Sequence, residues 1–135
     1  MLGAVPLYGG HAVLVAITGG RRLILDLEDS VSPDRKEDAR ILVRNALRAN
    51  NFYGCERMVR INQLPLGLED ASVVAPHGAD LLLIPKCEEA WQVQKVEEVV
   101  RATLDSEGID KQIFFMPIIE SALGVENAFR IATAS

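Results

Sequence analysis

The chain has 135 residues, enough to bury one hydrophobic core but not enough for two ordinary domains. Hydrophobic residues make up 49% of it and charged residues 24%, values typical of soluble globular proteins. The net charge of −5 argues against the basic surface that a nucleic-acid-binding protein needs. The apolar run Ala12–Ile17 near the start is far too short to span a bilayer. We therefore expect one soluble domain that binds neither nucleic acid nor a membrane.

The two cysteines, Cys55 and Cys87, are far apart in the sequence and form no C-x-x-C motif. This spacing does not indicate a structural zinc site. Two unpaired thiols are typical of a protein in a reducing compartment. We therefore predict a cytoplasmic location.

Short apolar runs alternate with longer amphipathic segments along the chain. A weak first strand is expected at Ala4–Leu7, and the segment that follows it through Ile17 fits a helix or a strand equally well. Four later runs are almost continuously apolar, as in strands covered on both faces: Leu23–Leu27, Met58–Asn62, Leu81–Pro85 and Ile113–Ile119.

Helices are expected between these strands. Ser32 and Pro33 are typical of a helix start, and five apolar residues then follow at helical spacing: Ala39, Leu42, Val43, Ala46 and Leu47. Glu88–Leu104 repeats this apolar spacing and predicts a second helix. A shorter helix is expected at Leu66–Ala75, and a final one from about Ser121 onward. This alternation predicts an α/β fold of about five βα units with a parallel sheet, in a single domain over residues 1–135.

Each of the four clear strands has one face that stays apolar and one that becomes polar at its C-terminal end. By this alternation the polar face also carries Ile24, Met58, Leu82, Ile84, Phe114, Met116 and Ile118. The C-terminal ends of parallel strands meet at one rim, where ligands bind in α/β proteins. The groups expected at this rim are Asp26, Glu28, Arg60, Asn62, Lys86 and Glu120. Carboxylates beside an arginine suit a divalent cation and an anionic substrate.

These same residues carry a family resemblance. The stretches ILDLEDSVSPDRKEDAR (24–40), VRIN (59–62), GADLLLIPK (78–86) and PIIESALGVENA (117–128) occur in one order. In them the chain resembles the citrate lyase beta-subunit-like family of aldolases and lyases, over about residues 15–135. The resemblance implies part of a (β/α)₈ TIM barrel, with residues 1–135 as the N-terminal part of a single barrel domain.

The resemblance also implies an activity. Members of this family use Mg²⁺ to cleave or form a carbon–carbon bond in malyl-, citramalyl- or citryl-type 3-hydroxyacyl thioesters. The implied partners are an acyl-CoA or acyl-carrier thioester and a 2-oxo acid. By the resemblance, Glu120 is a magnesium ligand and Arg60 is a catalytic residue that contacts the 2-oxo acid and the developing enolate. Asp26, Glu28, Asp29 and Lys86 are expected to line the substrate site.

A full barrel needs about 250 residues, and the family's second metal carboxylate is expected beyond Ser135. We therefore expect the 135 residues to be catalytically incomplete by themselves. Two alternatives are a non-catalytic remnant or assembly subunit of such a lyase, and a class II 2-oxo-acid aldolase acting on free acids. Because a partial barrel leaves strand edges open, we also expect a homo-oligomer.

Overall fold

A computed structural model describes residues 2–7, 11–18 and 21–135, with side chains from Arg21 onward. The described residues form a six-stranded sheet in which each strand pairs with the next along the chain. The strands are β1 (Leu2–Leu7), β2 (His11–Thr18), β3 (Arg22–Asp26), β4 (Glu56–Arg60), β5 (Leu81–Ile84) and β6 (Phe114–Pro117). The strands β3 to β6 are parallel, whereas β1, β2 and β3 pair antiparallel.

The N-terminal segment differs from the five βα units that the alternation predicts. The segment through Ile17, which fits a helix or a strand by its sequence, is strand β2. Because β1, β2 and β3 pair antiparallel, the described sheet has four parallel strands instead of five. The interval between Leu7 and His11 is too short for the crossover that joins parallel strands, so β1 and β2 can only pair antiparallel. The β-branched residues Val13, Val15 and Ile17 also favour a strand.

The helices are α1 (Lys36–Ala49), α2 (Leu66–Val74), α3 (Ala90–Ser106), α4 (Ala122–Glu126) and α5 (Ala128–Ala132). Ser32 and Pro33 begin a short 3₁₀ turn that leads into α1. The predicted starts near Leu66 and Ser121 agree with the structure, since Ser121 caps α4. No helix in the described part of the chain is long and apolar enough to cross a membrane.

The main core lies between the parallel strands and helices α1 to α3. The strands, and the residues directly after β3 and β4, contribute side chains from alternate positions: Leu25, Leu27, Val59, Ile61, Leu82 and Ile84. Helix residues such as Val43, Val74 and Val96 pack against them and are fully buried. The stripe of apolar residues that predicts α1 therefore faces the sheet, as expected of an amphipathic helix.

The opposite face of the sheet carries Met58, Leu81 and Leu83, with Ile24 and Ile118 packed against them. The prediction that Leu82 and Ile84 lie on this face is wrong. Leu81 pairs with Met58 and Leu83 pairs with Arg60, so the odd-numbered leucines of β5 share the face of Arg60. Alternation counted back from Lys86 places Leu82 and Ile84 on the polar face, but β5 ends at Ile84 and the strand alternation does not extend to Lys86.

A charge cluster holds the N-terminal ends of the parallel strands together. Asp80 accepts hydrogen bonds from the backbone N–H of Arg57 and from Nε and Nη2 of the Arg57 side chain, each 2.9 Å long. Nζ of Lys111 donates a fourth bond of 2.9 Å to Asp80. Burial alone would raise the pKa of Asp80, but these donors outweigh it and hold the pKa far below its ordinary value. The cluster therefore stabilises the fold through an ionised Asp80.

We expect Asp80→Asn to lower the free energy of unfolding by about 2 kcal/mol near neutral pH, because charged hydrogen bonds are lost. Since folding depresses the pKa of Asp80, its contribution is complete above the unfolded-state pKa and is lost as pH falls below about 4. Urea unfolding of both proteins from neutral to acidic pH measures this difference, which should shrink in acid. The exposed Asp105 offers the control Asp105→Asn, and an Asp80→Asn effect no larger than the control would contradict the prediction.

Candidate active site

Asp26 and Arg60 form a two-pronged ion pair at the C-terminal rim of the sheet. They end the neighbouring parallel strands β3 and β4 and are direct partners in the strand register. Nε of Arg60 lies 2.8 Å from Oδ1 of Asp26, and Nη2 lies 2.5 Å from Oδ2. This arrangement is the planar fork by which a guanidinium binds a carboxylate. One end of the Arg60 side chain is thereby fixed.

Glu28 lies next to this pair and is almost entirely buried, with 4% of its surface exposed. Its Oε1 accepts from Nε2 of Gln63 at 3.3 Å and lies 3.2 Å from Nζ of Lys86. Its Oε2 lies 3.3 Å from Nη1 of Arg60, which is an ion-pair distance, yet no hydrogen bond reaches this oxygen. A buried carboxylate oxygen without a hydrogen bond is costly, so it is a natural contact point for a ligand.

The end of β3 and the loop after it, which carry Asp26 and Glu28, are held by several hydrogen bonds. The backbone N–H of Glu28 donates to Oδ1 of Asp26 at 2.9 Å, and the Ser30 hydroxyl donates to Oδ2. Nζ of Lys36 donates to the carbonyl oxygens of Leu27 and Glu28. Ser30 and Lys36 of the 24–40 stretch therefore hold the backbone and the carboxylate at this end of β3 in place.

The charges of the pair support each other. Burial alone would raise the pKa of Asp26, but hydrogen bonds from Arg60, Ser30 and the Glu28 backbone hold the pKa below its ordinary value. The hydrogen bond to Asp26 raises the pKa of Arg60, and the charges of Glu28 and Asp29 raise it further. Asp29 is mostly exposed, with Oδ2 3.8 Å from Nη1 of Arg60.

Lys86 reaches the site from the turn after β5. Its backbone has a φ of 47°, in the left-handed region that non-glycine residues rarely adopt. This turn, and not strand alternation, brings its side chain to Glu28. The hydrogen bond to Glu28 raises the pKa of Lys86, and Asp29 and Glu120 add to this through their charges. Lys86 therefore stays protonated.

Glu120 follows β6 and has an exposed side chain. The backbone N–H of Ile118, two residues before Glu120, donates to the carbonyl oxygen of Ile84 at 2.8 Å, so the chain leading to Glu120 lies beside the end of β5. Among the described residues, no three His, Cys, Asp or Glu side chains are grouped so as to hold a metal ion.

Asn62 is the one rim residue that the structure places elsewhere. Its backbone N–H and Nδ2 donate to Oδ2 of Asp70 at 2.8 and 2.7 Å, and it is buried against the helices. Asp70 is fully buried and also accepts from Nε of Arg40 at 2.7 Å. The prediction of a rim position for Asn62 is wrong because β4 ends at Arg60 and the chain turns toward α2.

The structure thus brings together five of the six predicted site residues through direct contacts: Asp26, Glu28, Asp29, Arg60 and Lys86. The sixth, Glu120, lies near them without a direct bond. Sequence reasoning missed Gln63, Ser30 and the buried Asp70. Asp70 carried a signal, because it lies within the largely apolar segment Leu66–Val74, and an acid that is buried in such a helix needs a partner.

Comparison with known proteins shows which family this chain resembles. Residues 12–135 match the family model for the HpcH/HpaI aldolase/citrate lyase family. The chain is 37% identical over 122 residues to citrate lyase subunit beta of Leuconostoc mesenteroides subsp. cremoris, covering 88% of this chain and 40% of that protein. It is 40% identical over 119 residues to the L-malyl-CoA/beta-methylmalyl-CoA lyase of Rhodobacter capsulatus, covering 82% and 36%. The chain therefore spans about two fifths of the length of these relatives.

A solved structure shows the same fold. Protein CitE from Mycobacterium tuberculosis, in complex with magnesium and pyruvate, superimposes with a TM-score of 0.58 at 27% identity, over 83% of this chain and 40% of CitE. The predicted α/β fold, as part of a (β/α)₈ barrel, is confirmed, with four parallel strands. The family model and the citrate lyase and malyl-CoA lyase relatives establish that the chain belongs to the HpcH/HpaI aldolase/citrate lyase family.

Proposed function

We propose that this chain supplies the N-terminal part of a single barrel domain that cleaves or forms a carbon–carbon bond in a 3-hydroxyacyl thioester. The observation that carries the proposal is the rim cluster of Asp26, Glu28, Arg60 and Lys86, in which Arg60 is fixed by one carboxylate and faces another. Such a preorganised cation suits a reaction in which negative charge develops.

The donor groups at the rim fit Mg²⁺ as the cofactor. This ion prefers carboxylate oxygens, keeps several waters and needs only one or two protein carboxylates. Glu120 offers an exposed carboxylate, and Oε2 of Glu28 is a buried oxygen that lacks a hydrogen bond. We propose Glu120 as the direct ligand, with Asp26, Glu28 and Asp29 lining the site through waters. When bound, Mg²⁺ would supply Lewis-acid polarisation of the 2-oxo acid oxygens.

Arg60 is the proposed catalytic residue. In the cleavage direction the 3-hydroxyl group gives its proton to water, the adjacent carbon–carbon bond breaks, and the electron pair of that bond passes to the thioester, leaving an enolate that takes a proton back from water. The products are a 2-oxo acid and, after protonation of the enolate, a shortened acyl thioester. The guanidinium of Arg60 keeps its charge throughout, holds the carboxylate of the 2-oxo acid in register and stabilises the negative charge that develops on the enolate. Lys86 adds a second cation beside Glu28 for the anionic substrate.

Names of relatives support the substrate class. L-malyl-CoA/beta-methylmalyl-CoA lyase carries a CoA thioester in its name, and the structural neighbour was crystallised with pyruvate, a 2-oxo acid. We therefore propose that the substrate is an acyl-CoA or acyl-carrier thioester and not a free hydroxy acid.

We propose a cytoplasmic location, because a reducing compartment suits the free thiols of Cys55 and Cys87. We also propose that the protein is a homo-oligomer.

A chimera tests the proposed activity. Residues 12–135 would replace the matching segment of the Rhodobacter capsulatus lyase, so that the relative supplies the rest of the barrel. We expect the chimera to cleave malyl-CoA to acetyl-CoA and glyoxylate when Mg²⁺ is present, and to lose this activity with a chelator. The 135-residue chain alone should show no turnover. Thioester consumption and glyoxylate formation are the measurements.

The rival functions predict different outcomes in the same assay. A folded chimera that binds no metal and leaves malyl-CoA intact would favour a non-catalytic remnant or assembly subunit. Cleavage of the free hydroxy acid in preference to its thioester would favour a class II 2-oxo-acid aldolase. Either result would contradict the proposed thioester lyase.

A further inference from the structure

The loop that presents Glu120 is attached to its neighbour by more than the sheet. Strand β6 ends at Pro117, and beyond it the backbone N–H of Ile118 donates to the Ile84 carbonyl oxygen at 2.8 Å. The N–H of Cys87 then donates back to the Ile118 carbonyl oxygen at 3.0 Å. The chain after β5 and the chain after β6 are therefore joined through the backbone of Ile118, two residues before Glu120.

Glu88 continues this attachment with its side chain. Its Oε1 accepts from the Ser121 hydroxyl at 2.7 Å, and its carbonyl oxygen accepts from Nδ2 of Asn127 at 3.0 Å. The Ser121 hydroxyl in turn accepts from the backbone N–H of Gly124 at 3.1 Å, which begins α4. Ser121 is the residue directly after Glu120, so these bonds hold the backbone beside Glu120.

Close packing reinforces the same contact. A Cβ atom at Gly124 would lie only 2.7 Å from the carbonyl oxygen of Cys87, so the first turn of α4 approaches the β5 loop as closely as glycine allows. Glu88 is itself held, because its backbone N–H donates to Oε1 of Gln92 at 2.8 Å, at the start of α3. Helix α3 therefore supports Glu88, and Glu88 supports the loop that carries Glu120.

We propose that Glu88 is a positioning residue for Glu120: its carboxylate holds Ser121, and thereby places the Glu120 carboxylate at the rim for the metal. This inference rests on the proposed function for the part that concerns the metal. The positioning depends on the hydrogen bond that the Ser121 hydroxyl donates to the Glu88 side chain. An uncharged side chain with an accepting oxygen at position 88 can also form this bond. Outer groups that hold a metal ligand typically change metal affinity by about 10- to 100-fold.

The test compares Glu88→Ala with Glu88→Gln in the full 135-residue chain. Glutamine retains an oxygen that can accept from Ser121, whereas alanine does not. Glu126 on α4 is exposed, so Glu126→Ala is the matched control. Mn²⁺ serves as the probe, and electron paramagnetic resonance measures the free ion over a titration into the millimolar range. We expect Glu88→Ala to weaken Mn²⁺ binding roughly tenfold, while Glu88→Gln and Glu126→Ala stay within about twofold of the unaltered chain.

A metal-free measurement separates this inference from the proposed function. Hydrogen–deuterium exchange followed by mass spectrometry should show faster exchange over residues 119–127 in Glu88→Ala, and unchanged exchange in Glu88→Gln and Glu126→Ala. Unchanged exchange in Glu88→Ala would overturn the positioning role. Mn²⁺ binding that survives Glu120→Ala would instead remove Glu120 as the ligand, and with it the metal part of the proposed function.

Two further outcomes decide the remaining cases. If Glu88→Ala does not fold, Ser121→Ala removes the same hydrogen bond from the other side and should show the same weakened binding and faster exchange. Wild-type behaviour in Ser121→Ala would then overturn the proposal. Equal losses in Glu88→Gln and Glu88→Ala would also overturn it, because the effect would come from the charge of Glu88 and not from its bond to Ser121.

Discussion

Replacing Arg60 with lysine is expected to lower turnover about a hundredfold, the loss typical of removing a group that stabilises developing charge. Two nitrogens of Arg60, Nε and Nη2, bind the carboxylate of Asp26 at 2.8 and 2.5 Å. The third, Nη1, lies 3.3 Å from Oε2 of Glu28. Lysine carries one nitrogen on a flexible stem, so it can pair with Asp26 or meet the substrate, but it cannot do both. Steady-state kinetics of malyl-CoA cleavage by the chimera is the measurement.

A second arginine provides the control for this substitution. Arg22 pairs with Glu56 at 3.1 Å on the opposite end of the sheet, and its side chain is largely exposed. Arg22→Lys should leave turnover unchanged, because it is equally conservative and far from the rim. We expect Arg60→Lys to lower kcat more than it raises KM, since the lost contact matters most in the transition state. Turnover near that of the unaltered chimera would remove Arg60 from the catalytic role.

The isolated chain is expected to self-associate, because one face and one edge of its sheet are open. On the face opposite helices α1 to α3, 57% of Phe114 and 42% of Met116 are exposed. Strand β6 is also an edge strand of the described sheet. Burying a large apolar side chain contributes about 1.5–3 kcal/mol, a large fraction of a net stability of about 5–15 kcal/mol. Size-exclusion chromatography with light scattering should detect particles heavier than the 14.8 kDa monomer.

Substitutions locate the surface that causes association. The double variant Phe114→Gln and Met116→Gln should shift the distribution toward monomer, because polar side chains on the sheet face remove the gain from burial. Phe129 is 81% exposed on α5, away from that face, and Phe129→Gln is the control. A cooperative thermal melt from a particle of monomer mass in the unaltered chain would contradict the prediction.

Much of this protein follows from local patterns in its sequence. The apolar runs predict β3, β4, β5 and β6, since strands covered on both faces need few polar residues. The apolar stripe from Ala39 to Leu47 predicts helix α1 and also predicts which face of this helix is buried. Charged residues at the ends of consecutive parallel strands predict a shared rim, and Asp26, Glu28, Arg60 and Lys86 do meet there. These features depend on period and order along the chain, which a sequence displays directly.

Other features were decided only by the tertiary structure. The face of Leu82 and Ile84 depends on the register between β4 and β5, which residues within β5 cannot reveal. Lys86 reaches Glu28 because its backbone turns at a φ of 47°, so strand alternation does not place its side chain. The bond between Glu88 and Ser121 joins residues 33 positions apart. Such contacts arise when packing brings distant loops together, and their geometry is set by the whole sheet and not by the residues beside them.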